Sequence, residues 1–310
     1  MATPTPIKSL SQAYNSTTHL QSQHIVPLDF NSIRDLPDSH VWTLQTDNLS
    51  ESNKQYSVPV LDLTAPDVVG LVANACREWG VFQVINHGVP MGLFDDVEAQ
   101  SKRLFGLPAQ QKQKVLRLPN ESTGYGVARI SPFFSKLMWH EGFTIMGSAV
   151  EHAKQLWPLE YQDFCICSVL QLNSYPSCPN PNRAVGLGPH TDSMLLTILH
   201  QNDTNGLQIL KEGVGWITVE PVSGAMVVNI GDLMHIMSNA RFRPVYHRVV
   251  PSRMRHRFTF AYFYGPSPNY VVGPLASRVL DAPRFRPMMV KDYIRLKYHH
   301  FDKALDFVRL

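Results

Sequence analysis

From Gly124 onward the chain breaks into short β-rich runs, at 142–146, 170–175, 195–200, 207–210, 216–220, 226–230, 246–250 and 258–264. Gly, Pro, Asn or Asp punctuates most of the gaps between them. Many short strands at spacings near 8–12 residues point to an antiparallel sandwich or jelly roll. The preceding part has another texture. Residues 58–63 read as a strand, and Thr64 is placed to cap a helix with Pro66 in its first turn. Val68, Val69, Leu71, Val72, Ala75, Cys76 and Trp79 form that helix's apolar stripe, and Gly80 ends it. A buried strand at 81–86, a helix at 93–105 and a short helix opened by Pro108 follow. The tail at 290–308 reads as a helix with Tyr293, Leu296, Phe301, Leu305 and Phe307 on one stripe. The expected fold is mainly β with flanking helices: a double-stranded β-helix (jelly roll) core, a helical N-terminal layer and a C-terminal helix. Residues 1–57, rich in Ser, Thr, Gln and Asn, read as a loosely ordered leader, with short ordered pieces at 25–30 and 39–42. Residues 58–165 are expected to form the N-terminal helical and strand region, and 166–310 the jelly-roll core with its C-terminal helix.

Composition narrows the function. Lys+Arg of 28 against Asp+Glu of 25 leaves a net charge of +3, which gives no basic field for nucleic acid. No apolar run approaches the roughly 20 residues of a membrane helix. The four cysteines (Cys76, Cys165, Cys167, Cys178) are too few and scattered for a disulfide framework. With no signal-peptide pattern at the N-terminus the expectation is a cytoplasmic protein, and with no coiled-coil seam a monomeric one. The Gly124-Tyr-Gly126 run lacks the third glycine of a dinucleotide loop. His140-Glu141 lacks the second His of a zincin, and neither a Walker loop nor a Gly-x-Ser-x-Gly elbow occurs.

Histidine carries the remaining signal. With 13 His in 310 residues, composition alone predicts about 0.7 His-x-Asp triplets, and the chain has two. His300-Phe-Asp302 lies in the helical tail, where side chains two apart point about 200° away from each other and cannot share an ion. His190-Thr-Asp192 precedes a β run, where residues two apart share a face. The third ligand must come from another strand, and His247 is the best candidate. A hairpin about Pro251-Ser252 would set position 247 opposite Arg257, with Thr259 on the same face; a surface hairpin with a scattered basic face is the plainer alternative. Two His and one Asp with open positions suit non-haem Fe(II), the rival being a catalytic zinc with bound water. The Arg257/Thr259 pair favours the first. It would bind one end of a dicarboxylate cosubstrate bidentately while the 2-oxo-acid end chelates the iron.

At these residues the chain resembles the plant 2-oxoglutarate- and Fe(II)-dependent dioxygenases. The matching pieces are Asn173-Ser-Tyr175-Pro-Ser-Cys178, Gly188-Pro-His-Thr-Asp192, Gly231-Asp232, His247-Arg248 and Arg257-Phe-Thr259. The resemblance implies iron ligands His190, Asp192 and His247. It also implies 2-oxoglutarate binding by Arg257, Thr259 and Tyr175, with Asn173 near the iron-bound end and ascorbate as reductant. The usual pattern has Ser where Thr259 stands. Within that family the chain most resembles the gibberellin 3-oxidases, through the runs 39–42, 124–131, 133–145 and 170–173. That implies 3-beta-hydroxylation of a gibberellin-type diterpenoid acid with dioxygen, giving succinate and CO2. Action at another gibberellin position or on a flavonoid, and an impaired shortened variant, are the alternatives. Arg129 is the candidate for the substrate's carboxylate, with Tyr125, Phe133 and Phe134 as apolar walls. Family members carry a long helix where residues 164–169 bridge directly here, so a packed helix is expected to be missing.

Overall fold

The structure, a computed structural model, describes residues 27–30, 32–43, 56–118, 121, 123–147, 150–164, 170–275 and 282–310. Among these the strands are β1 (Val60–Asp62), β2 (Val81–Ile85), β3 (Gly124–Gly126), β4 (Glu141–Ile145), β5 (Leu170–Tyr175), β6 (Leu187–His190), β7 (Leu196–Gln201), β8 (Leu207–Lys211), β9 (Gly215–Thr218), β10 (Met226–Ile230), β11 (His247–Val249), β12 (Arg257–Tyr264), β13 (Val271–Val272) and β14 (Met288–Met289). The α-helices are α1 (Val68–Glu78), α2 (Met91–Phe105), α3 (Ala109–Lys112), α4 (Val150–Leu156), α5 (Asp232–Met237) and α6 (Val290–His300).

Strand alternation builds two layers. In β7 burial alternates along its length, and in β12 Arg257, Phe258, Thr259 and Ala261 are buried while Tyr262 and Tyr264 are exposed. The larger sheet runs β1-β2-β10-β7-β12-β5-β4-β3 and the smaller β6-β11-β8-β9. Only the β1–β2 pairing is parallel within these two sheets. Their inner faces meet in one apolar cluster: Tyr175, Leu199, Val227 and Ala261 from the larger sheet, Leu207, Ile209, Ile217 and Val249 from the smaller. This is the expected double-stranded β-helix core, with sheets packed face to face.

Helices cover the outside of the larger sheet. Leu104 and Phe105 of α2 and Ala153 of α4 pack on Phe143, Ile145, Leu172 and Phe258. Ala75 and Cys76 of α1 pack on Phe82, Val84 and Val228. Of the direct bridge that stands where a helix is expected, residues 165–169 lie outside the described residues. The strands beside it are covered: Phe143, Ile145 and Leu172 are fully buried, each contributing about 1.5–3 kcal/mol of apolar burial. Of the leader, 27–30 and 32–43 are described. Leu28, Phe30, Ile33 and Leu36 pack around Trp139, and Trp42 lies 5.3 Å from Phe134.

Three local expectations are corrected. Helix α1 starts at Val68, because the Thr64 backbone N–H and hydroxyl both donate to Asp62 Oδ1 (2.8 and 2.7 Å), which takes Thr64 out of the capping role. Gly80 does end the helix, at φ 68°; a Cβ there would stand 2.4 Å from the Arg243 carbonyl oxygen. The C-terminal helix stops at His300, where Phe301 adopts φ 49°, and 3₁₀ turns complete the tail. Most consequential, residues 246–264 form no hairpin. β11 pairs with β6 and β8 in the smaller sheet, and β12 with β5 and β7 in the larger. The residues after β11 already have partners upstream: the Val250 N–H donates to the Gly206 carbonyl, and the Ser252 carbonyl accepts from the Cys178 N–H. The chain therefore crosses between sheets at Pro251 instead of turning back.

Candidate active site

His190 ends β6, and its Cα partner across the ladder is His247 on β11. Asp192, two residues on, comes to the same face. The Asp192 Oδ1 lies 3.6 Å from His190 Nε2 and 3.8 Å from His247 Nε2. One ligand atom from each of the three residues falls within 4.8 Å of the others, and all three residues are buried. Among the described residues no other three His, Cys, Asp or Glu side chains converge this way. Both rings are oriented by the backbone: His190 Nδ1 meets the Gly188 carbonyl at 2.8 Å, and His247 Nδ1 the Val245 carbonyl at 3.1 Å. A carbonyl only accepts, so Nδ1 carries the hydrogen and the Nε2 lone pairs face Asp192. Burial, with His190 beside it, pulls the His247 imidazole down to about 4, so the ring is neutral near pH 7. Burial opposes ionisation of Asp192, but His247 and His190 outweigh it and hold the carboxyl well below the usual carboxylate range. Two imidazole nitrogens and one carboxylate, with room on one side, fit a divalent iron with open coordination positions.

A second group faces the triad from the larger sheet. Arg257 opens β12 opposite Tyr175 on β5, and Thr259 stands opposite Asn173. Arg257 is 1% exposed; its Nη2 donates to Gln201 Oε1 at 2.8 Å, and its guanidinium carbon sits 5.2 Å from the Tyr175 ring centre. Its Nε has no hydrogen-bond partner, and no carboxylate among the described residues pairs with it. Burial lowers Arg257 only to about 10, so a full positive charge is held inside the protein. Leaving such a charge unpaired is costly, and a carboxylate delivered by a ligand removes the cost. Burial pushes the Tyr175 hydroxyl up to about 12 against the pull of Arg257. It therefore stays protonated and able to donate. Asn173 is oriented from both sides: His140 Nε2 donates to its Oδ1 at 3.0 Å, and its Nδ2 donates to Thr259 Oγ1 at 3.1 Å. These residues fit an anionic cosubstrate with one end on Arg257 and the other at the triad.

Triad and guanidinium open into one cavity of about 330 Å³, within the range of small-molecule sites. Arg129, Tyr125 and Phe133 line it as expected. Phe134 does not: it packs behind the wall, 5.3 Å from Trp42 and 5.5 Å from Phe301. Tyr125 has a second task, since its hydroxyl donates to Glu141 Oε2 at 2.6 Å. Several lining or supporting residues carry no signature in the sequence. Arg117 stands beside Arg129 and donates to Thr144 Oγ1 and the Val127 carbonyl; burial and the Arg129 charge lower it to about 9. Gln201 and Asn229 hold Arg257 and Asp192 from neighbouring strands. Lys297, Tyr298 and Phe301 enter from the C-terminal segment. Strand alternation marks Gln201 and Asn229 as inward-facing, but their partners depend on cross-strand register.

A jelly roll that sets a His–Asp–His face against a buried, carboxylate-free guanidinium defines a non-haem iron oxygenase taking a carboxylate cosubstrate. The comparisons agree. The 2OG-Fe(II) oxygenase superfamily matches residues 166–266, and the N-terminal domain of non-haem dioxygenases in morphine synthesis matches 58–163. Gibberellin 3-beta-dioxygenase 1 of Pisum sativum is 43% identical, over 97% of this chain and 94% of that protein. Gibberellin 3-beta-dioxygenase 3 of Arabidopsis thaliana is 40% identical, over 98% of this chain and all of that protein. The crystal structure of JOX2 in complex with 2OG, Fe and JA superposes with a TM-score of 0.72 at 26% identity, covering 90% of this chain and 95% of that one. The chain belongs to the 2OG-Fe(II) oxygenase superfamily and is an Fe(II)- and 2-oxoglutarate-dependent dioxygenase. The pea alignment spans 354 positions against 310 residues here, so at least 44 positions of that relative have no counterpart, and the coverage puts the shortening inside the chain. No helix among the described residues is long and apolar enough to cross a membrane.

Proposed function

We propose that this enzyme hydroxylates gibberellin precursors at the 3-beta position, yielding bioactive gibberellins with succinate and CO2. The observation that carries the reading is the near-complete coverage at 43% identity by a protein named gibberellin 3-beta-dioxygenase. The cavity chemistry supports it: apolar walls and cationic side chains suit a carboxylated polycycle. In this reading His190, Asp192 and His247 hold iron. Arg257 and Thr259 take the distal carboxylate of 2-oxoglutarate, Tyr175 donates to it, and Asn173 borders the chelating end. Bound there, Fe(II) supplies dioxygen activation coupled to oxidative decarboxylation of 2-oxoglutarate, with ascorbate as the reductant that keeps the metal ferrous. The chain's own work is binding, orientation and exclusion of water. Arg129 pairs with the substrate carboxylate, Arg117 adds positive potential beside it, and Tyr125 and Phe133 flank the ring system. Phe134 supports that wall from behind. The sequence-based expectation of a cytoplasmic monomer belongs to this reading, and gel filtration with cell fractionation tests it.

The test is incubation of the protein with Fe(II), ascorbate, 2-oxoglutarate and a C19 gibberellin, with products identified by mass spectrometry. A 3-beta-hydroxylated product in step with succinate is expected. A gibberellin oxidised elsewhere, or a flavonoid product, would move the assignment to a sister activity. Folded, iron-loaded protein that forms no product would make the shortened chain an impaired variant.

A further inference from the structure

The loop carrying two of the three metal ligands is gripped from two directions that meet at one residue. On one side is the start of α5. The Asp232 N–H donates to the Asp192 carbonyl at 2.8 Å, the Leu233 N–H to the Ser193 carbonyl at 3.2 Å, and the Gly231 N–H to the Leu195 carbonyl at 3.0 Å. Gly231 is required there, since a Cβ would stand 2.1 Å from the Met194 carbonyl oxygen. On the other side is α6. Lys297 reaches from it to donate to Thr191 Oγ1 at 2.6 Å and to Asp232 Oδ2 at 2.8 Å. Thr191 is the single residue between His190 and Asp192. The Asp232 side chain is fully buried, and its Oδ2 also accepts from the Tyr293 hydroxyl at 2.7 Å.

A lysine this close to a site for a dication brings like-charge repulsion, so its value there is not electrostatic support of the metal. Asp232 neutralises it, and the ammonium is left as a rigid donor aimed at the Thr191 hydroxyl. We infer that Lys297 is a positioning residue: through Thr191 it fixes the spacing of His190 and Asp192, with Asp232 joining the C-terminal helix to the ligand loop. Lys297 also lines the substrate cavity, with Tyr298 and Phe301 of the same segment. The seating of that segment over the cavity is thereby tied mechanically to the metal ligands. The inference rests on the reading of His190, Asp192 and His247 as metal ligands.

The test uses Mn(II) as probe, without turnover, titrated into the full chain with 2-oxoglutarate and followed by EPR. Wild type must bind at one site; if it does not, the metal reading itself fails and this inference with it. Thr191→Val removes the hydroxyl while keeping its shape and the Lys297–Asp232 pair. It is expected to weaken Mn(II) binding roughly tenfold, the lower end of what loss of a ligand-orienting partner costs. Thr191→Ser, which restores the hydroxyl, is expected to bind as wild type does. Adding Lys297→Met to Thr191→Val should then weaken binding no further, because the path is already cut. Wild-type affinity in Thr191→Val would overturn the inference. So would equal losses in the Val and Ser variants, or additive losses in the double variant. If Lys297→Met prevents folding, pairing it with Asp232→Asn removes both buried charges and restores the comparison.

Discussion

A guanidinium held at 1% exposure, with no carboxylate beside it among the described residues, is the most informative group in the site. Buried arginine is normally paired, and here the pairing is left to a ligand. The rigid fork matters as much as the charge, because it matches a carboxylate bidentately where an ammonium cannot. Arg257→Lys is therefore expected to raise the KM for 2-oxoglutarate at least tenfold while leaving substrate KM within about twofold. Arg129→Met should do the reverse. Steady-state kinetics in both cosubstrates check this pair. Arg129 and Arg257 variants that shift both KM values alike would dissolve the division of labour between the two arginines. Thr259, by contrast, keeps the hydroxyl that the pattern calls for. Its added methyl is accommodated on β12, where the residue is 2% exposed.

At the scale of elements, the sequence makes some placements readable and hides others for a physical reason. The runs 170–175 and 226–230 stand in the structure as β5 and β10, because alternation or continuous apolarity over a short span is a local property. His190 and Asp192 were legible for the same reason, since two residues apart in extended chain share a face. Which strand pairs with which is not local. Pro251-Ser252 resembles a hairpin turn, yet the partners of His247 are His190 and Ile209, far upstream. The conclusion that His247 and Arg257 face one pocket holds, but through two facing sheets and not across one ladder. Strand β6, with its Gly and Pro, and helix α5, six residues long, carry too little periodicity to be read. The residues that the site borrows from a distance, Gln201, Asn229 and Lys297, were hidden for the same reason. The C-terminal segment yields a prediction of its own. Phe301, turned by its positive φ, stacks on Phe133 at 4.6 Å and meets Phe134 edge-on at 5.5 Å, which closes one wall of the cavity. Aromatic contacts of this kind are worth about 0.5–1.5 kcal/mol each beyond area. Phe301→Ala is expected to raise substrate KM several-fold and to lower the ratio of hydroxylated product to succinate, with 2-oxoglutarate KM unchanged. Equal losses in product and succinate at wild-type KM would separate this wall from substrate binding.

For the whole molecule, acid sensitivity is set by buried imidazole rings. His40 packs edge-on at 5.9 Å from Trp139, His140 lies inside β4's approach to the site, and His256 meets Ser174 Oγ at 2.8 Å just before β12. Burial pulls each from 6.5 down to about 4, and at His256 the charges of Lys112 and Lys102 add to the effect. Between those values the unfolded chain binds protons that the folded chain refuses. Stability therefore rises with pH through this window and is lost as pH falls from about 6.5 toward 4. In the metal-free protein His247, also lowered to about 4 by burial, adds to the same loss. The expected result is a urea midpoint for the metal-free protein that declines steadily from pH 7 to pH 5, above the range where carboxylates dominate. His256→Gln, which removes one of the rings, should make the slope shallower by up to about 1.4 kcal/mol per pH unit, the contribution of one proton. Urea titrations followed by circular dichroism at half-unit pH steps measure both slopes. A midpoint that does not move across that interval would mean these rings protonate as readily in the folded chain as in the unfolded one.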